Sequence, residues 1–183
     1  MATAKSVPNE LTNREFFIRR WEQEYSAFRH VLNALPANRL DFRPEPRARS
    51  AGELAALLVG IAQAGIDLCD KGEIRWEDPA SVRKLGEMVK AYERSHEELG
   101  KRLREMNEAT WNKPAQCWEH GHVEIEDTIG GLLWLFLFDA VHHRGQLSTY
   151  IRPMGGRVPS IYGATADDPS AKCPPVGLCP KVA

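Results

Sequence analysis

The stretch Leu132-Leu133-Trp134-Leu135-Phe136-Leu137-Phe138-Asp139-Ala140-Val141-His142-His143-Arg144-Gly145-Gln146-Leu147 decides the fold. It reads as an apolar helix carrying ionisable groups. Ile129, Leu132, Phe136, Asp139, His143, Gln146 and Tyr150 follow one another at steps of three and four, so they share one face of that helix. A carboxylate and an imidazole on a core-facing stripe need a partner, a metal ion or a polar pocket. Asp139 and His143 stand one turn apart, where their side chains can meet or aim at a common centre. Either a structural carboxylate–imidazole pair or two ligands of a divalent metal satisfies that spacing.

Working outward, three more amphipathic helices come into view and no convincing strand. The first spans about Thr12 to Leu35. Thr12 and Glu15 form a capping box, Phe17, Trp21, Tyr25, Phe28, Leu32 and Leu35 make the apolar stripe, and Pro36 stops it. A Pro- and Arg-rich loop, Pro36 to Arg49, leads to the second helix. That helix opens on the Ser50–Glu53 capping box, buries Leu54, Leu57, Leu58, Ile61, Gly65 and Leu68, and ends at Gly72. The third opens on Asp78-Pro79, an N-cap followed by proline at the first helical position. Its stripe of Val82, Leu85, Val89, Tyr92, His96, Leu99, Leu103 and Met106 predicts a helix packed nearly antiparallel to its neighbours. Asn107 to Val123 reads as a loop. The fourth helix, about Glu126 to Arg152, ends before Pro153-Met154-Gly155-Gly156. The expectation is an all-α four-helix bundle over residues 1–168, with a Pro-, Gly- and Cys-containing tail over 169–183.

Composition limits the function classes. The 183 residues suit one domain, and a formal net charge of −1 without a basic tract points to neither nucleic acid nor an anionic membrane as partner. Met1 to Glu10 lacks the apolar core of a signal peptide, and the run Leu132 to Phe138 is too short to span a bilayer. A cytoplasmic location is the default expectation. Cys69, Cys117, Cys173 and Cys179 stand at no zinc-like spacing and read as free thiols. No phosphate-binding glycine loop, nucleophile elbow or dinucleotide fingerprint is present.

The remaining histidines are weaker signals. His96 lies on the third helix's core stripe, where an ordinary buried ring is the bland reading. It becomes a third donor if that helix faces the fourth near Asp139 and His143. His142 adjoins the stripe, His30 reads as exposed, and His120 and His122 form a His-Gly-His in the loop. Arg144 and Gln146 read as packing or interhelical hydrogen-bonding residues, and Ser148, Thr149 and Tyr150 have no evident base partner beyond His143.

His142-His143-Arg144-Gly145-Gln146-Leu147 near the end of the last helix resembles the signature of the DinB/YfiT-like superfamily. Arg49-Ser50-Ala51-Gly52-Glu53-Leu54 and Val158-Pro159-Ser160-Ile161-Tyr162-Gly163 resemble the same family. The resemblance runs from the first helix to about Asp168. It implies a four-helix bundle, often homodimeric. It also implies a divalent metal (zinc, nickel or manganese) on three histidines, one from the second helix and two from the fourth at His-x-x-x-His spacing. Relatives of this kind include transferases and isomerases that use thiols such as bacillithiol or mycothiol. His143 matches the second of the fourth-helix histidines, while Asp139 stands where the first would be. Leu57, in Glu53-Leu54-Ala55-Ala56-Leu57, occupies the second-helix position. Aspartate can supply an oxygen; leucine donates nothing. The expectation is a degenerate metal site with Asp139 and His143 as the two remaining metal candidates. No catalytic or cofactor-binding residue is assigned, and the chain would act as a small-ligand-binding or interaction module. The alternative is a divalent-metal-dependent thiol transferase or hydrolase using Asp139 and His143.

Overall fold

A computed structural model describes residues 10–77 and 84–169. Four long helices make the body: α1 (Asn13–Asn33), α2 (Ala51–Lys71), α3 (Leu85–Glu105) and α5 (Ile129–Tyr150). A four-residue helix α4 (Glu108–Trp111) and strands β1 (Glu73–Trp76), β2 (Pro114–Glu119) and β3 (His122–Thr128) complete the fold.

The helix starts follow local chemistry. Both capping boxes form: Thr12 accepts from Glu15 N–H and Ser50 from Glu53 N–H, with each glutamate returning the bond to its cap backbone. α2 ends at Gly72, whose φ of 70° lies in the left-handed region that closes a helix at little cost to glycine. α2 is apolar and long enough by composition to cross a membrane. In this fold most of that apolar surface is buried among the other helices.

The core forms two clusters. One joins the second half of α1 (Phe28, Val31, Leu32), the first half of α2 (Leu54, Leu57, Leu58), the start of α3 (Met88, Tyr92) and the end of α5 (Ala140, Leu147). The other joins the opposite halves (Phe17, Leu68, Leu103, Leu132) to Ile74, Trp111, Ala115 and Cys117. Membership of the two ends makes α1 and α5 run one way and α2 and α3 the other. α3 is therefore antiparallel to α1 but parallel to α2, which corrects the antiparallel expectation. β1 (Glu73–Trp76) lies between the parallel helices α2 and α3 in the chain.

An all-α chain with no strands is likewise corrected. β1 pairs parallel to β2, and β2 pairs antiparallel to β3 with an irregularity at Cys117/Trp118. The stretch expected as a loop from Asn107 to Val123 thus holds α4 and β2. Residues 126–128, expected inside the last helix, finish β3, and Thr128 caps α5 by accepting from Gly131 N–H. His120 (φ 51°) and Gly121 (φ 82°) both have positive φ, as a two-residue hairpin turn requires, so His-Gly-His is turn chemistry. The Asp78-Pro79 start and Val82 lie outside the described residues; within them α3 begins at Leu85. The boundary at 168/169 is followed by undescribed residues from 170 onward.

Candidate functional site

α5 is apolar almost all round, so its buried face is set by packing. Leu133, Leu137, Ala140, Arg144 and Leu147 point into the core. Asp139 and His143 lie to one side of that stripe, half-buried, with side chains 44% and 18% exposed. They meet: His143 Nε2 is 3.3 Å from Asp139 Oδ1. On the ring's other side, Nδ1 is 3.0 Å from Gln146 Oε1. Both contacts face acceptors. The imidazolium, with an N–H on each nitrogen, satisfies both; the neutral ring does so once the Gln146 amide turns its N–H₂ toward the ring. His142 is exposed and packs edge-on against His143, with 5.1 Å between ring centroids.

The pair can be tested against the metal that the resemblance implies. Two donors bonded to zinc at about 2.0–2.1 Å with a tetrahedral angle stand about 3.3 Å apart, which is the Asp139–His143 separation. The rest of the set does not fit. No group of three His, Cys, Asp or Glu side chains among the described residues is placed to hold an ion. Leu57 is 3% exposed and packed in the same apolar cluster as Ala140 and Leu147 of α5. A buried aliphatic side chain there closes the position to a donor rather than leaving it to water. The described residues do not make the three-ligand site of a catalytic metal.

His96 is not a third donor. It packs between α1 and α3, stacked on Trp21 with centroids 3.8 Å apart and on Tyr25 at 4.0 Å. Burial there pushes its pKa down to about 4, with the Arg104 charge acting the same way. His30 is exposed at the end of α1, its Nδ1 3.4 Å from Ser160 O. His120 and His122 are exposed on the hairpin.

The most buried polar group on α5 is one that the stripe passed over. Arg144 is 2% exposed. Its guanidinium lies between the rings of Phe28 and Tyr162, 4.8 and 4.9 Å from their centroids. Nη1 donates to Glu24 and Nη2 to the Tyr162 hydroxyl; that hydroxyl in turn donates to Glu24 at 2.8–2.9 Å. One arginine thus ties α5 to α1 and to the Val158–Gly163 segment. Arg152 and Asp167, 2.8 Å apart, pin that segment further. Burial raises the Tyr162 pKa and, more strongly, that of Tyr92 beside this cluster. Arg144 could have been found from the sequence, because Leu137, Ala140, Arg144 and Leu147 also follow steps of three and four.

Between the four long helices lies an apolar cavity of about 40 Å³, lined among others by Phe17, Leu58, Ile61, Phe136 and Ala140. It is far below the roughly 150 Å³ that admits a small aromatic molecule. The centre of the core therefore has no room for a ligand of that size.

The comparisons agree with this architecture. A family model described as the DinB family matches residues 8–172. Among solved structures, a DinB-like protein from Bacillus cereus superposes with a TM-score of 0.65 at 19% identity, covering 80% of this chain and 95% of that one. A DinB-like protein from Bacillus subtilis gives 0.63 at 17% identity, covering 80% and 96%. At these identities the likeness shows the fold alone. No curated protein matches the chain. Matched by the family model over nearly its whole length, the chain belongs to the DinB family.

Proposed function

We propose that this chain is a DinB-family four-helix bundle whose metal site has lost a donor, and that it serves as a small-ligand-binding or interaction module in the cytoplasm. The observation that carries this reading is the Asp139–His143 pair closed on itself at 3.3 Å while Leu57 is buried among apolar side chains. With both ring nitrogens of His143 engaged by Asp139 and Gln146, the half-exposed Asp139 carboxylate is left to offer an acceptor to a polar ligand without a metal. Purified protein would carry no stoichiometric zinc, nickel or manganese by elemental analysis; one tightly bound ion per chain would refute the reading.

The same 3.3 Å separation is the one observation on the side of a metal-dependent thiol transferase or hydrolase. In that case His143→Ala would abolish bound metal. Unchanged metal content in the variant would eliminate it.

A homodimer belongs to the proposal. Phe138 (63% exposed) and Leu135 (41%) lie on the outer face of α5, and Phe16 of α1 packs near them through Trp134. Large apolar side chains grouped on one face mark an interaction surface. A two-fold interface would bury this patch against its own copy. Light scattering would give a dimer for the parent and a monomer for Leu135→Lys/Phe138→Lys; a monomeric parent would contradict it.

A further inference from the structure

The cleft between α1 and α3 lies apart from the Asp139–His143 turn. It encloses about 680 Å³ and is lined by Trp21, Tyr25 and Arg29 of α1 and by Lys90, Glu93, Arg94, His96, Glu97 and Arg104 of α3. Its floor is a column of three rings, with the His96 imidazole between Trp21 and Tyr25 at interplanar angles of 15° and 17°. Both faces of the imidazole are covered, so only its nitrogen-bearing edge is left to face the cleft.

The rim charges do not cancel. Arg29 is paired with Glu93 at 2.8 Å, Arg104 with Glu22 at 3.3 Å, and Glu97 lies 3.6 Å from Lys101. Lys90 and Arg94 remain, both exposed and neither in an ion pair among the described residues. They stand one helical turn apart. Like charges at that spacing oppose each other and destabilise a helix unless a counter-charge lies between them.

We propose that this cleft binds a small phosphate-bearing molecule. Lys90 and Arg94 would hold the anion, and the edge of the His96 ring would donate a hydrogen bond from the floor. Three donors of different kinds, spread round one cleft, suit the three outer oxygens of a phosphate better than the two of a carboxylate. Glu93 and Glu97 oppose an anion, but each already faces a cation. Their presence sets a limit on how far the ligand can extend toward them. The stacked column fixes the imidazole before the ligand arrives, so little ordering remains to be done on binding.

The test is titration of the full chain with inorganic pyrophosphate, read on the His96 ring signals by NMR and by calorimetry. The expected result is saturable binding at about 1 mM or tighter, with the His96 signals among those that move. Lys90→Glu/Arg94→Glu changes only exposed side chains and is expected to weaken binding by roughly tenfold or more. His96→Phe keeps the ring stack, removes the donor, and is expected to weaken binding severalfold. Arg47→Glu, at a side chain 94% exposed and outside the cleft, is expected to change nothing. Succinate is expected to bind far more weakly. Equal loss from Arg47→Glu would show diffuse attraction to surface cations and overturn the proposal. So would unmoved His96 signals, or succinate binding as well as pyrophosphate.

Discussion

Replacing Glu24 by alanine removes the carboxylate that, among the described residues, pairs with the 2% exposed Arg144 guanidinium. The guanidinium charge then stays buried, with the Tyr162 hydroxyl as its remaining hydrogen-bond partner among the described residues. Breaking a buried ion pair from one side costs about 3–5 kcal/mol. The Glu24 side chain is 18% exposed, which lets water screen part of the charge and puts the expected loss at the lower end, about 3 kcal/mol. In a chain of this size that corresponds to a fall in Tm of about 6–12 °C. The diagnostic arm is the double variant Glu24→Ala/Arg144→Met. Methionine removes the stranded charge and fills the slot between Phe28 and Tyr162 with a flexible apolar chain. The double variant should therefore be more stable than Glu24→Ala alone. Urea denaturation of the parent, both single variants and the double variant gives the coupling directly. A loss under about 1 kcal/mol for Glu24→Ala is what a solvated surface pair gives. That result, or strictly additive losses, would refute the claim that this arginine is a buried tie between α1 and α5.

The pH dependence of stability has a sign set by His96. Its folded pKa, about 4, lies below the ordinary value of 6.5, so the unfolded chain takes up a proton that the folded chain refuses. Stability is complete above about pH 6.5 and falls as pH drops toward 4; His96→Phe should flatten urea midpoints across that window. The carboxylates held low by cation partners, Asp70 by Arg102 for example, lose their contribution only at lower pH. Gly130→Ala should cost about 1–3 kcal/mol by overpacking. A Cβ at residue 130 would lie 2.1 Å from the buried Trp111 ring, and thermal unfolding of the variant reads the loss.

The starts of α1 and α2 and the end of α2 were legible because capping is local: Thr12, Ser50 and Gly72 each act within a few residues of themselves. The face of α5 was not. Leu132 to Phe138 is apolar at every position, so periodicity admits two stripes, and only packing against α1 and α2 selects the one carrying Arg144. Arg144 reads as a packing or interhelical hydrogen-bonding residue, and it is one; its partners Glu24 and Tyr162 stand 120 and 18 residues away, too far for a local pattern to name them. The strands were hidden for a related reason. β3 is exposed along most of its length and carries Glu124, Glu126 and Asp127, so it lacks the alternation that marks a half-buried strand. The direction of α3 relative to α2 is a matter of long-range packing, which no local pattern states. Asp139 and His143 were found by their spacing, and they do touch. His96 carried an equally regular spacing, yet it lies against α1 in a different cleft.

The central claim is that Leu57, standing at the position of the second-helix donor that the family resemblance implies, leaves Asp139 and His143 at metal-like spacing without a third ligand. Zinc titration by calorimetry of the parent and of Leu57→His, side by side, tests it most directly. The account predicts weak or undetectable binding to the parent and a gain of about tenfold or more, roughly 1.4 kcal/mol, in the variant. Tight stoichiometric binding by the parent, or no gain on supplying the histidine, would contradict it.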